Sequence, residues 1–106
     1  MAFSKNYLYP QELQLISHFS QAFSYAGRLQ ILLKLQMEGP LTVDTLSQEH
    51  PISKETFSEH LKILRENHLI IPEENFPYTF YETHEANLKK SKELLNAFFD
   101  KLNLPA

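Results

Sequence analysis

The chain is 106 residues long, enough for one domain around a single core and too short for two. Apolar residues make up 42% of it and glycine occupies only 2 positions, a balance that favours helices over a turn-rich all-β fold. The formal charge of −3 excludes a global basic field of the kind that draws proteins onto nucleic acid, and the lack of cysteine excludes disulfide scaffolds, thiolate metal sites and thiol redox chemistry.

The opening stretch MAFSKNYLYPQEL lacks the apolar run of a signal peptide. No segment approaches the roughly 18 uninterrupted apolar residues of a membrane span. The expectation is a soluble cytoplasmic protein with one domain over residues 1–106, free of repeats, low-complexity tracts and linkers.

Pro10 suits the first position of a helix. Leu13, Ile16, Phe19, Phe23 and Ala26 then recur at helical spacing, which predicts a first helix over about 10–23. Ser24 is the expected N-cap of a second helix. There Leu29, Ile31, Leu32, Leu33 and Leu35 are dense enough to predict burial on most sides. Gly39 is expected to end it as a left-handed cap, with Pro40 unable to continue. Thr42 should cap a short helix at 43–49 with Val43 and Leu46 inward. After a tight break at HPIS, Ser53 should cap a fourth helix over 54–67, with Phe57, Leu61 and Leu64 on one face. LIIPE and YTFYET, separated by the turn formers ENFP, predict a β-hairpin over about 69–73 and 78–82. Its tip should be loose, because no Asn-Gly or Asp-Gly fixes the register. A last helix is expected over 84–102, with Leu88, Ser91, Leu95, Phe98 and Leu102 on a heptad seam that Leu94 and Phe99 widen. Such a seam calls for a partner, and a second copy of the same helix fits it.

The predicted fold is mainly α with a small β-hairpin, in the order α-α-α-α-β-β-α. The third and fourth helices have helix-turn-helix proportions, and a hairpin directly after them makes the winged variant. At this point the sequence resembles the ArsR-type winged helix-turn-helix regulators. GRLQILLKLQMEGPLTVDTLSQE is similar to the family's second and third helices. SKETFSEHLKILRENHLI is similar to its recognition helix, with Ser58, His60, Leu61, Leu64 and Leu69 at the family's positions. The hairpin ending in YTFYE resembles the wing. The resemblance runs over about residues 24–82. It implies a homodimer built through the first and last helices, and binding of double-stranded DNA at a pseudo-palindromic operator, usually as a repressor released by a ligand.

Two metal sites known in that family can be compared with this chain. One needs cysteines in the frame that here reads LTVDTL, and there are none. The other pairs a carboxylate and a histidine near the start of the last helix with two histidines further along. Glu82 and His84 match its start, but Leu95 and Phe98 stand where the histidines would be needed. A capping cluster at the helix N-terminus is the plainer reading of Glu82, Thr83 and His84. No metal or cofactor is expected, and the sequence names no effector. The histidines show no i, i+4 pair, and no nucleophile–base pattern, Gly-rich phosphate loop or acid–base carboxylate motif is present, so no enzyme is expected.

In a helix-turn-helix protein the N-terminal part of the recognition helix reaches the base edges. Lys54, Glu55, Ser58 and Glu59 are therefore the candidate base-reading residues. Glu55 or Glu59 could accept from a cytosine amino group, and Lys54 could donate to guanine. Ser53, His60, Lys62, Arg65, Asn75 and Tyr78 are the candidate phosphate contacts. Arg28 and Lys34 are further cations that a nearby backbone could use. The dimer interface is expected to use Leu13, Ile16, Leu88, Leu95, Phe98 and Leu102. Between Ser53 and Tyr81, Lys54, Lys62 and Arg65 stand against Glu55, Glu59, Glu66, Glu73 and Glu74, a net of −2. Few phosphate contacts imply a shallow salt dependence. A second reading is a module turned to protein contact through the aromatic wing residues Phe76, Tyr78, Phe80 and Tyr81. Exposed rings would favour it, and inward packing would favour DNA.

Overall fold

The computed structural model describes residues 5–106. After a 3-10 turn at Asn6–Leu8, the chain forms α1 (Gln11–Ala22), α2 (Ala26–Glu38), β1 (Leu41–Thr42), α3 (Val43–Gln48), α4 (Lys54–Glu66), β2 (Ile70–Asn75), β3 (Tyr78–Thr83) and α5 (Glu85–Leu102). Four helices, a hairpin and a closing helix follow the predicted order. The added element is β1. It pairs antiparallel with β3, giving a three-stranded sheet in the order β1-β3-β2. Two residues directly after a proline carry no readable alternation, so the sequence does not announce it.

The helix starts are set by short side chains. Thr42 accepts a hydrogen bond from the Thr45 N–H at 3.2 Å, and Ser53 accepts one from the Thr56 N–H at 3.1 Å. Each satisfies an N–H that the first turn leaves unpaired. Ser24 does not cap α2. Its hydroxyl donates to the Gln21 carbonyl at 2.8 Å and closes α1, while the extended Tyr25 is the N-cap residue of α2. Pro10 sits one residue outside α1 rather than in it.

Gly39 departs from the expected left-handed cap, having φ −66° and ψ 168°. Its lack of a side chain matters for space: a Cβ there would lie 2.5 Å from the Leu35 carbonyl oxygen, which already accepts the Gly39 N–H at 2.8 Å. Left-handed residues end other helices instead: His68 at φ 57° follows α4 and Asn103 at φ 50° caps α5. At His68 the Leu69 N–H returns to the Leu64 carbonyl and the His68 N–H to that of Arg65, which ends α4 and turns the chain into the wing.

The core gathers Phe19 and Ala22 of α1, Ile31, Leu32 and Leu35 of α2, Leu46 of α3, and Phe57, Leu61 and Leu64 of α4, closed by Leu69, Ile70 and Tyr81. Each such apolar side chain contributes about 1.5–3 kcal/mol of burial, so α4 is held by three strong anchors on one face. The prediction that α2 is buried on most sides fails. Leu29 and Leu33 are exposed, as is Met37 one turn further on. The leucine run is dense, but α2 is covered on one side only, so the members four residues apart at 29 and 33 face out. From α5, Leu88 and Leu94 pack against the core and Ser91 is buried, its hydroxyl donating to the Leu88 carbonyl.

The hairpin is longer and tighter than expected. Pairing continues to Asn75 opposite Tyr78, leaving Phe76-Pro77 as a two-residue turn. Register is held by β1 on the other edge of β3 and by the full ladder, not by the turn residues. Pro72 is tolerated because β2 is an edge strand.

Candidate nucleic-acid interface

With Phe57, Leu61 and Leu64 fixed inward, α4 presents Lys54, Glu55, Ser58, Glu59, Lys62 and Arg65 outward, all exposed. The four candidate base-reading residues and Lys62 thus share one solvent-facing side of a single rigid helix. Ser53 stands just ahead of them, but its hydroxyl is engaged in the cap and also donates to the Thr56 hydroxyl at 3.0 Å.

His60 is a correction. It was expected among the phosphate contacts, yet it is only 7% exposed and points toward α2. Its Nδ1 accepts from Arg28 Nε at 3.2 Å. Helical geometry explains this: position 60 lies three residues after Phe57 and four before Leu64, on the buried side. Arg28 is itself buried at 6% exposure. Its guanidinium also donates to the Gln21 carbonyl and the Ser24 hydroxyl, and lies 4.4 Å from the centre of the Tyr25 ring. Lys34 is held in ion pairs with Glu38 and Glu49, each at 2.8 Å, and hydrogen bonding to these two carboxylates raises its pKa. Neither Arg28 nor Lys34 is offered to DNA in this arrangement. Lys54, Lys62 and Arg65 remain as the cations of the face.

Arg65 reaches the wing, where its Nη1 donates to the Tyr81 hydroxyl at 3.2 Å. Cross-strand partners share a face of a sheet. The register therefore places Tyr81 with Pro72, Thr79 and Glu74 on the side that meets α4. Asn75 and Tyr78 form a pair on the opposite face, with Phe80 and Glu73. The two expected wing contacts thus point away from the recognition helix. Thr79 and Tyr81 take the inner side, which residue type alone does not signal. The aromatic residues divide in the same way: Tyr81 is buried, Phe80 is partly buried, Tyr78 is exposed and Phe76 is 95% exposed at the tip.

A second surface lies on the α1–α5 side. Tyr9, Leu13, Phe99, Leu102 and Leu104 are exposed there, and Ile16, Leu95 and Phe98 are half-buried. A Glu12–Lys101 ion pair joins the two helices. Leu88, expected at a dimer interface, packs against the core of its own chain, which shifts the open apolar surface to the C-terminal half of α5.

His84 is the N-cap residue of α5 and its Nδ1 accepts the Asn87 N–H at 3.1 Å, in line with the capping role. Among the described residues no group of three or more His, Asp or Glu is placed to hold a metal ion. No helix among them is long and apolar enough to cross a membrane.

A helix-turn-helix with an exposed second helix, followed by a hairpin on a three-stranded sheet, defines the winged helix-turn-helix class. The profile of the bacterial regulatory proteins of the arsR family matches residues 26–71, from the start of α2 into β2. The chain has a winged helix-turn-helix fold, and over residues 26–71 it is similar to the arsR family. Its structure is similar to an ArsR-like transcriptional regulator from Rhodococcus sp. RHA1, with a TM-score of 0.76 and 19% identity over 89% of this chain and 88% of that one. It is similar to the transcriptional repressor BigR from Xylella fastidiosa, with a TM-score of 0.64 and 28% identity over 85% of this chain and 88% of that one. It is also similar to a homodimeric winged helix-turn-helix DNA-binding domain from Mycobacterium bovis, with a TM-score of 0.67 and 20% identity over 96% of this chain and 94% of that one. The likenesses at 19% and 20% identity establish the shared fold. No curated protein matches the chain significantly.

Proposed function

We propose that the chain is a homodimeric, sequence-specific DNA-binding regulator that acts as a repressor, without a bound metal and without catalytic activity. The observation that carries this is the outer face of α4, where Lys54, Glu55, Ser58, Glu59 and Lys62 are exposed together on a helix locked to the core. Ser58 serves any base as donor or acceptor, Glu55 or Glu59 accepts from a cytosine amino group, and Lys54 donates to guanine. Lys62 and Arg65 hold phosphates on either side of the groove. Dimerisation brings two such helices to the half-sites of a pseudo-palindrome about one helical turn apart. The exposed apolar surface of α1 and α5 supports the dimer, as does the homodimeric domain from Mycobacterium bovis. The repressor role draws on the likeness to BigR.

Glu59→Gln tests the reading directly. The substitution should change base preference at one position in each half-site and leave the remaining positions unaltered. Uniformly tighter binding to every sequence would mean that Glu59 merely repels phosphate.

A second reading has one specific observation in its favour. The outer wing face presents Tyr78, with Phe76 projecting from the tip, on the side turned from α4. Under that reading the wing docks a protein, and Phe76→Ala should abolish partner capture while leaving DNA binding unchanged.

A further inference from the structure

The Arg28–His60 pair is a buried polar contact between side chains of two helices, and DNA recognition as outlined does not use it. It joins α2 to the inner side of the recognition helix. Arg28 Nε is a donor in every protonation state accessible to a protein, so His60 Nδ1 must be the acceptor at 3.2 Å. The imidazole is therefore neutral and carries its proton on Nε2. The contact leaves no slack. A Cβ on Gly27 would lie 3.0 Å from both Nε2 and Cδ2 of His60, so a glycine in α2 is what lets the ring approach. Arg28 cannot retreat either, because its guanidinium is tied to the Gln21 carbonyl and the Ser24 hydroxyl and stacked on Tyr25.

Water still reaches this place. A surface recess of about 350 Å³ is lined by Tyr25, Arg28, Glu55, Thr56, Glu59 and His60. The side chains that close it on the α4 side, Glu55 and Glu59, are two of those that face the DNA. We propose that the Arg28–His60 pair is a proton-sensitive clamp, in which neutral His60 positions α4 for operator binding and its protonation releases the helix. The proposal rests on α4 being the DNA-reading helix.

Protonation places a proton on Nδ1 and turns the acceptor into a donor facing a guanidinium. The hydrogen bond is then lost and two cations confront each other. The charged and titratable groups around the ring are Arg28 and Tyr25 from the α2 side, His50 from the turn before α4, and Glu55 and Glu59 from α4 itself. Burial holds His60 below its ordinary value. Arg28 and His50 act in the same direction, and Glu59 opposes them. The window of release thus lies below about pH 6.5, the ordinary histidine value. The sign is diagnostic. Acidification also neutralises carboxylates on an acidic DNA-facing surface, and that alone would strengthen binding.

The test is operator affinity of the purified chain between pH 7.5 and 5.5, beside His60→Asn, whose Oδ1 can stand in for Nδ1 but cannot gain a proton. Each protomer that must lose a bound proton weakens affinity by up to about tenfold per pH unit below its folded value. Wild type is expected to lose affinity as the pH falls below about 6.5, by more than about threefold relative to His60→Asn at the acid end, on the same linkage. Parallel loss in both proteins, or no loss in wild type, overturns the clamp. NMR titration of the free wild-type chain tests it without any variant or DNA. The α4 amide shifts from Glu55 to Leu61 should titrate together with the His60 ring. A His60 that titrates while those amides stay fixed refutes the proposal. If no sequence binds at pH 7.5 while the amides do titrate with His60, the DNA reading fails and the operator role of the clamp with it, while the coupling of His60 protonation to α4 stands.

Discussion

Salt dependence offers a sharp quantitative consequence of this surface. Arg28 is buried and Lys34 is held by two carboxylates, so on the proposed DNA-binding face each protomer has Lys54, Lys62 and Arg65 to offer. Two protomers then neutralise at most about six phosphates. With a slope near −0.9 per neutralised phosphate, log affinity against log salt should have a slope of about −5. If Lys54 contacts a base instead, the slope falls to about −4. Between 50 and 200 mM salt the upper figure amounts to a loss of roughly a thousandfold. Lys62→Ala removes one phosphate contact per protomer and should flatten the slope by about 2 in the dimer, while the order of preferred sequences stays the same. Fluorescence anisotropy with a labelled operator at four or five salt concentrations measures both slopes. A wild-type slope of about −8 or steeper would refute the reasoning, because it would require cations that the structure does not place on this face.

Other consequences are open to direct measurement. Phe99→Glu with Leu102→Glu places charge on the exposed C-terminal half of α5, and sedimentation should then show a folded monomer; an unchanged dimer would contradict the α1–α5 interface. Ser53→Ala removes the N-cap of α4 and should cost about 1 kcal/mol in urea unfolding. Gly39→Ala forces a Cβ against the Leu35 carbonyl and should cost about 1–3 kcal/mol, as overpacking does. Burial lowers both His50 and His60. The unfolded chain therefore binds more protons near pH 6. Stability should be full above about pH 6.5 and fall as the pH drops through the folded values. Thermal melts from pH 7.5 to 5 would show it, and a flat profile would mean that neither ring is held neutral.

Much of this architecture is legible in the residues because the local signals agree with the global fold. Thr42 and Ser53 cap the helices they precede, and the spacing of Phe57, Leu61 and Leu64 fixes which side of α4 faces out. The losses have specific causes. Leucine density in α2 says nothing about how many neighbours surround the helix, so Leu29 and Leu33 were expected inside. His60 has a side chain suited to phosphate, but its helical position overrules its chemistry. The wing shows a related limit. Which face of a hairpin meets α4 depends on register, and the turn residues did not reveal that pairing runs to Asn75 and Tyr78. Thr79 and Tyr81 therefore became visible only once the strands were paired.

Selection of bound duplexes from a random pool, at low and then physiological salt, with protein shown to be a folded dimer, tests whether α4 reads DNA. A two-fold symmetric sequence whose half-sites lie about one helical turn apart should be recovered. Absence of enrichment at either salt would contradict that role, and the exposed wing tip at Phe76 would become the surface to pursue.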